Sequence, residues 1–449
     1  MKKKNIYDMT IDSLVYPNSA TGTIEGRRVS VKNGLPGQQL SVQITKLRRN
    51  RVEARICQVT DRAPYEVDSF CEHFGECGGC ARQTVPYERQ LDIKLESINA
   101  LFAQNDIALR VAKIIASPSI YHYRNKMEYS FGDLAKGGQL NLGMHRKGRF
   151  YDVVSIPRCH IVDDDYNTIT AALERLCRTE GWAKYNRNSG EGVMRNLVIR
   201  KGCFTGEILI GLATSSASFD VQKVVDTLLA LQLKGQIVGI YHLINDDVAD
   251  VVKPQPGDHL VYGRDYFYEK ICGMTFKVSF HSFFQTNSRG AEVLYREALA
   301  LIPDLDDKVV YDLFSGTGTI AQIVAQSAKS VQAIEIVADA VAAAKQNARD
   351  NGVTNCTFLT GDVFKILDEV TEKPDVIIVD PPRAGMTPKT VQKIADYDVA
   401  QILYISCNPK TMVANLKDFF ARGYALKSCF LVDLYPHTPL VEAVALLTK

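Results

Sequence analysis

From about Lys270 onward, short apolar runs alternate with stretches of helical periodicity. The runs are Val309 to Phe314, Ser330 to Ile334, Cys356 to Leu359, Val376 to Val379 and Ile402 to Ile405, followed by late strands near Lys427 to Leu434 and Val441 to Leu447. Such alternation specifies an open, mostly parallel α/β sheet with helices on both faces. Ligands of such sheets bind beyond the carboxyl ends of the strands, so the residues found there carry the functional reading.

Three strand ends hold suitable chemistry. Asp312-Leu313-Phe314-Ser315-Gly316-Thr317-Gly318-Thr319 is a glycine turn entering a helix, where the backbone can approach a nucleotide-like ligand closely. The next strand ends in Glu335, seventeen residues after Gly318, where a carboxylate can accept hydrogen bonds from both hydroxyls of a ribose. That pair fits S-adenosylmethionine or a dinucleotide. Asp380-Pro381-Pro382-Arg383 follows the fourth run, Val376 to Val379; its prolines hold a rigid corner that can press a flat substrate against a neighbouring ligand, and Asp380 is also placed to cap a helix. The fifth run, Ile402 to Ile405, ends in Ser406-Cys407-Asn408-Pro409, with a helix expected from Thr411 to Arg422. Cys407 then lies at a helix N-terminus, whose partial positive charge favours the nucleophilic thiolate, although free cysteines are often simply buried.

With 449 residues, 46% hydrophobic and 23% charged, the chain is long enough for two or three domains with proper cores. Residues 1–55 hold eleven Lys or Arg against four Asp or Glu, whereas residues 271–449 hold seventeen against twenty. The basic end points to a polyanion partner. Met1-Lys2-Lys3-Lys4 leads into no apolar h-region, and no apolar stretch is long enough to span a bilayer, so a cytoplasmic protein is expected.

Residues 10–60 contain short alternating runs broken by Gly22, Gly26, Gly34 and Pro36-Gly37, the pattern of a small antiparallel barrel. Lys46, Arg48, Arg49 and Arg51 would give it an RNA-facing edge or a solvated charged face. This stretch resembles the TRAM domain, a small RNA-binding barrel attached to RNA-modifying enzymes. Eleven cysteines without a signal peptide point away from disulfides and towards metal or catalysis. Cys71, Cys77 and Cys80, with Gly78 and Gly79 between the last two, and the distant Cys159 are enough to tie four thiolates to one centre, either an iron–sulfur cluster or a structural zinc. Cys57, Cys177, Cys203, Cys272, Cys356 and Cys429 receive no function. Tyr87 to Gln104 reads as an amphipathic helix, and residues 121–265 read as β-rich with some helix. There the runs Tyr121 to Lys126 and Met144 to Arg149 mix aromatics, amides and cations suited to stacking on bases and pairing with phosphates, and each could equally be an exposed strand or hairpin.

Together, the four cysteines, Ser282-Phe283-Phe284-Gln285-Thr286-Asn287, Asp312 to Gly318, Asp380 to Arg383, Ser406 to Pro409 and the late Glu442 resemble the RNA uracil-C5 methyltransferases, specifically the iron–sulfur members that make 5-methyluridine in 23S ribosomal RNA. The resemblance covers nearly the whole chain, in the family's motif order. It implies S-adenosylmethionine as methyl donor and a 4Fe-4S cluster on Cys71, Cys77, Cys80 and Cys159 with a structural, RNA-contacting role. It also implies Glu442 as the base and Gln285, Phe314, Glu335 and Asp380 as cofactor contacts, with Gln285 and Asp380 alternatively reading the uracil edge. Uracil C5 is too weak a nucleophile to take a methyl group unaided; a nucleophile must first add to C6, and Cys407 is the candidate. A stacked base cannot reach that thiol, so a flipped-out uridine is expected.

The implied organisation is a TRAM-like barrel over residues 1–62, a central iron–sulfur and RNA-binding domain over 63–82 and 115–265, and a Rossmann-like class I methyltransferase domain over 83–114 and 266–449. Transfer RNA is the alternative substrate. A nicotinamide-dependent oxidoreductase would use Gly316, Gly318 and Glu335 but leave Cys407 and Asp380-Pro381-Pro382 unexplained. A radical methyltransferase would leave one iron of its cluster open, whereas a fourth cysteine is present here. A non-catalytic RNA-binding protein on the same scaffold would be expected to lack Cys407 or Glu442. No obligate protein partner is expected.

Overall fold

Alternating hydrophobicity at the N-terminus closes a barrel of five strands, Ile6–Val15, Ser19–Ile24, Arg27–Lys32, Gln39–Arg48 and Arg51–Asp61. This computed structural model describes residues 1–49, 51–149, 151–249 and 251–449. Every second side chain, including Met9, Ile11, Val29, Val31, Leu40, Val42 and Ile44, enters the barrel core. The first strand begins four residues before the stretch read as barrel in the sequence; its pairing with Gln39–Arg48 helps to close the barrel. Gly22 is needed where it stands, because a Cβ there would lie 2.1 Å from the carbonyl oxygen of Thr10. On the surface Glu53 pairs with Lys46 at 3.5 Å and with Arg51, and Arg48 and Arg49 are exposed.

The chain forms two compact units, one made of Met1–Phe70, Cys80–Ser117 and Ile378–Lys449, the other of Cys71–Gly79 and Pro118–Ile377. In the first unit the helix Tyr87–Ala103 contributes Ile93 to the barrel core. From the same helix Lys94 reaches Asp433 at 2.7 Å, both side chains being fully buried. The strands Gln401–Ser406, Glu442–Thr448, Ala425–Val432 and Ile114–Ile115 follow in that order, and Glu442–Thr448 runs antiparallel to both its neighbours. Its residues from Ala443 to Leu447 are all apolar and buried, the pattern of a strand covered on both faces. The helix Pro409–Phe420 buries Met412, Val413, Leu416 and Phe419 at helical spacing and begins two residues earlier than expected.

In the second unit a seven-stranded sheet takes the order His259–Gly263, Gln236–Ile244, Glu207–Thr214, Met194–Lys201, Lys126–Gly132, Asn141–His145 and Val153–Ser155. One of the two runs read as suited to RNA contact, Tyr121 to Lys126, needs correction in part. Tyr123 and Asn125 are buried, and the Asn125 side chain donates to the Gln285 carbonyl at 2.9 Å and to Ser288 Oγ at 2.7 Å, so it is occupied within the protein. Arg146, in the other run, donates to Glu76 at 3.0 Å. Farther along, Val309–Leu313, Ser330–Glu335 and Cys356–Thr360 form parallel pairs, with the helices Thr319–Ala325 and Ala338–Asp350 between them. Among the described residues no helix is long and apolar enough to cross a membrane.

The Lys94–Asp433 pair ties the helix Tyr87–Ala103 to the segment before the last strand. Lys94→Met leaves the Asp433 charge buried without its cation, and we expect it to lower unfolding free energy by about 3–5 kcal/mol, read from urea denaturation followed by circular dichroism.

Candidate active site

The reversal of the last strand determines what faces Cys407. Ser406 pairs with Ala443, so the next position on each strand brings Cys407 beside Glu442 at one edge of the sheet. A parallel last strand would start at the opposite edge. Glu442 is 2 % exposed, and burial first, then the Asp380 charge, push its carboxyl up to about 8. The Tyr435 hydroxyl, which donates to Glu442 Oε1 at 3.0 Å, and the Arg383 guanidinium act in the opposite direction. Asp380 follows the strand Val376–Val379. Although part of its surface is accessible, its carboxyl is surrounded by protein, and that burial pushes it up to about 7. Asp380 caps no helix; Thr387 caps Pro388–Ala395.

Cys407 stands between its strand and the helix Pro409–Phe420, as expected, but its thiol is not lowered. Burial, then the Glu442 and Asp380 carboxylates, push it up to about 11, against the smaller downward pull of Arg383. Two neighbouring acids and desolvation outweigh the helix terminus, so the unliganded site holds a thiol at neutral pH. Asn408 fixes the loop. Its amide donates to the Arg383 carbonyl at 2.8 Å, and its backbone N–H donates to Ser406 Oγ at 3.1 Å, joining the Cys407 turn to the Asp380–Arg383 corner. Below it, buried Asn415 accepts from the Met386 N–H at 2.9 Å and donates to the Met386 carbonyl at 2.8 Å.

Two site neighbours were not legible in the sequence. Tyr16, at the end of the first barrel strand and 2 % exposed, is raised by burial and by the Glu442 and Cys407 charges, and its oxygen accepts from the backbone of Val441. Tyr435 lies in the short segment between the last two strands. The one cue for either was a tyrosine beside a proline, which does not say what it faces.

Gln285, Phe314 and Glu335 belong to the second unit. The turn after Val309–Leu313 places Phe314, Gly316 and Gly318 at φ values of 68°, 55° and 74°. A Cβ on Gly318 would also meet the Phe358 ring at 2.6 Å. Glu335 accepts from the Gly316 N–H at 3.0 Å and the Val337 N–H at 2.9 Å, which couples the carboxylate to the glycine turn. Gln285 is buried, its backbone held by Asn125. An exposed-backbone glycine turn bonded to an acidic strand end fits the ribose and amino-acid groups of S-adenosylmethionine.

Among the described residues, no group of three or more His, Cys, Asp or Glu side chains is assembled to hold a metal ion, and none of the cysteines is in a disulfide. The expected four-cysteine centre is thus not gathered by these side-chain positions. Cys80 belongs to the first unit and Cys71, Cys77 and Cys159 to the second. Within the second, Cys77 and Cys159 are raised mainly by burial and also by neighbouring thiols, Cys71 for Cys77 and both Cys77 and Cys71 for Cys159. The Gly79 N–H donates to Cys77 Sγ at 3.3 Å, and the Ile161 and Val162 backbones bond Cys159. Thiols that feel one another and receive N–H donors fit thiolate ligation.

Residues 247–449 match the family model described as tRNA (Uracil-5-)-methyltransferase. An uncharacterized RNA methyltransferase of Clostridium tetani is 43% identical over 99% of this chain and 98% of its own length; one from Clostridium acetobutylicum is 40% identical over 100% and 99%. The crystal structure of Pyrococcus abyssi tRNA (uracil-54, C5)-methyltransferase with S-adenosyl-L-homocysteine shares the fold, with a TM-score of 0.78 over 98% of this chain and 99% of that one at 24% identity. The chain belongs to the RNA (uracil-5-)methyltransferase family, and it is an S-adenosylmethionine-dependent RNA methyltransferase with an α/β methyltransferase fold and an N-terminal closed barrel.

A buried carboxyl raised to about 8 stays protonated in the native protein, whereas in the unfolded chain it ionises near its ordinary value. Its stabilising contribution is complete below the unfolded pKa and is lost as pH rises through the folded one. Glu442→Gln removes this titration. We expect its unfolding free energy to fall less than that of the parent between pH 5 and pH 9, measured by urea denaturation across that range.

Proposed function

We propose that the chain transfers a methyl group to C5 of a uridine in 23S ribosomal RNA, with Cys407 as nucleophile and Glu442 as base. The observation that carries this reading is the pairing of a strand-end thiol with a buried, partly neutral carboxyl one register step away. Cys407 loses its proton to solvent and adds as the thiolate to C6 of a flipped-out uracil, and the C5–C6 π electrons move onto the C4 carbonyl as an enolate, leaving Glu442 free for the later proton transfer. S-adenosylmethionine, when bound, supplies the electrophilic methyl group that C5 accepts. Glu442 then takes the C5 proton, the C5–H electrons re-form the C5–C6 double bond, and the C6–S bond breaks to release the Cys407 thiolate. A base whose pKa lies near the working pH suits that step. Arg383 favours the thiolate, and Asp380 and Gln285 contact the methyl donor, the uracil edge or both, while Phe314 and Glu335 hold the donor.

In this reading residues 1–62 are a TRAM domain whose exposed Arg48 and Arg49 meet RNA phosphates, residues 63–82 and 115–265 form the central domain, and residues 83–114 and 266–449 form the methyltransferase domain of a cytoplasmic enzyme. Cys71, Cys77, Cys80 and Cys159 hold a 4Fe-4S cluster; when bound it fixes the local backbone, and no step of methyl transfer needs it. The mutual electrostatic influence of Cys71, Cys77 and Cys159 and the N–H donors on Cys77 and Cys159 support this. Transfer RNA is the second reading, favoured by the fold shared with an archaeal enzyme that acts there.

Fluorine at C5 cannot be removed as a proton, so RNA carrying 5-fluorouridine stalls the reaction with Cys407 bonded to C6. With S-adenosylmethionine and 23S ribosomal RNA transcripts containing 5-fluorouridine, we expect a denaturation-resistant RNA–protein adduct that Cys407→Ala abolishes. An adduct with transfer RNA transcripts alone would transfer the proposal to that substrate, and none with either would overturn it. Protein purified without oxygen is expected to contain iron and sulfide and to lose both in Cys77→Ser; stoichiometric zinc instead would exclude the cluster.

A further inference from the structure

We infer that Tyr435 is a positioning residue for removal of the C5 proton, because its hydroxyl holds one oxygen of Glu442 and leaves the other to face the substrate. This rests on Glu442 being the base. Tyr435 is not a mobile side chain that happens to lie nearby. Its N–H donates to Asp433 Oδ1 at 3.0 Å, and its carbonyl accepts from Lys94 Nζ at 3.1 Å and Thr438 Oγ1 at 2.8 Å. Asp433 is itself held by Lys94 at 2.7 Å and by the Tyr87 hydroxyl at 3.0 Å. Two residues on, His437 donates its N–H to Gln90 Oε1 at 2.9 Å and exchanges a ring contact with Gln90 Nε2 at 3.2 Å. The segment is therefore fastened at two points to the helix Tyr87–Ala103, and the hydroxyl at 3.0 Å from Glu442 Oε1 is a rigid donor.

A carboxylate sealed from water has lost the donors that stabilise its charge, and each one the protein supplies lowers its proton affinity. The titratable or charged side chains acting on or felt from Glu442 are Asp380, which raises it, Arg383 and Tyr435, which lower it, and Cys407 and Tyr16, which are themselves raised by its charge. Of these, Tyr435 alone is shown donating a hydrogen bond to the carboxyl. Without that donor the base is protonated over more of the working range and its free rotation is restored. Proton abstraction then slows while C6 addition and methyl transfer do not, so the methylated covalent adduct accumulates.

The test uses the full chain, S-adenosylmethionine and unmodified 23S ribosomal or transfer RNA transcripts with ordinary uridine. For Tyr435→Phe we expect an RNA–protein adduct at steady state, turnover at pH 7 reduced about tenfold, and the acidic limb of the pH–rate profile moved up by about one unit, the size of one hydrogen bond to a charged group. Turnover recovers towards the parent value above that limb, which lost packing would not produce. A parental limb without adduct overturns the inference. Glu442→Gln run in parallel separates the two claims: if it stalls as adduct while Tyr435→Phe behaves as the parent, only the role of Tyr435 fails; if it turns over normally, the reading of Glu442 as base fails and the inference falls with it.

Discussion

The antiparallel insertion of Glu442–Thr448 between Gln401–Ser406 and Ala425–Val432 is the constraint on which the site depends. A sheet grown only by parallel crossovers delivers the ends of its strands to one edge and their beginnings to the other. One reversed strand places a beginning beside an end, and Glu442 thereby reaches Cys407. Register is what makes the placement exact to one residue. The inserted strand is buried on both faces, so a slip of one position gains nothing from exposing a polar face, but it would pull the Glu442 carboxyl off the Tyr435 hydroxyl and set an unbonded acid in the core.

Burial then sets the protonation of the whole group. Asp380 raised to about 7, Glu442 to about 8 and Cys407 to about 11 have one cause in common, removal of water, and each acid makes the thiolate harder to form. Arg383 is the cation that opposes this for both Cys407 and Glu442, and its placement is therefore worth fixing. Asn408 bonds its carbonyl, Thr411 sits over the same corner, and Asn415 secures Met386 three residues on. These side chains lie at the cap and in the first two turns of the helix after Cys407, so that helix also anchors the loop bearing Asp380 and Arg383. At neutral pH the free site holds Cys407 as a thiol and Glu442 largely as the neutral acid. A substrate bringing positive charge, as a sulfonium does, favours ionisation of the same groups by ordinary Coulomb attraction.

The sequence made the scaffold legible because its signals are local. Alternation in the barrel, the 3.6-residue spacing of Tyr87–Ala103 and the strand runs from Val309 to Leu447 can each be read within a dozen residues, and the limits of that helix and those strands differ from the structure by at most two positions. Glu335 at a strand end and Cys407 before a helix were read in the same way. The thiol's electrostatics were not, since a helix terminus is visible beside Cys407 whereas Glu442 and Asp380 become its neighbours only through sheet order. Asp380 looked like a cap because it follows a strand and precedes prolines, yet the chain runs on to Thr387 before a helix starts. Tyr123 and Asn125 looked like an RNA-contacting run because composition cannot distinguish an exposed aromatic-amide strand from a buried one.

What Asn125 does instead shows how the second unit uses buried polar groups. Its amide and backbone hold Gln285, Thr286 and Ser288, and the buried Arg200 donates to the carbonyls of Ser279, Phe280 and Ser282 at 2.8–2.9 Å. The segment carrying Gln285 is thus fixed along its length by two side chains from neighbouring stretches. The glycine turn is fixed likewise, because Glu335 accepts from the N–H groups of Gly316 and Val337. Loops tied down in this way lose little conformational entropy when a ligand arrives, so more of the contact energy appears as affinity. A buried arginine bonded to three carbonyls contributes no charge to an RNA surface; its role is to set the path of the backbone that presents Gln285.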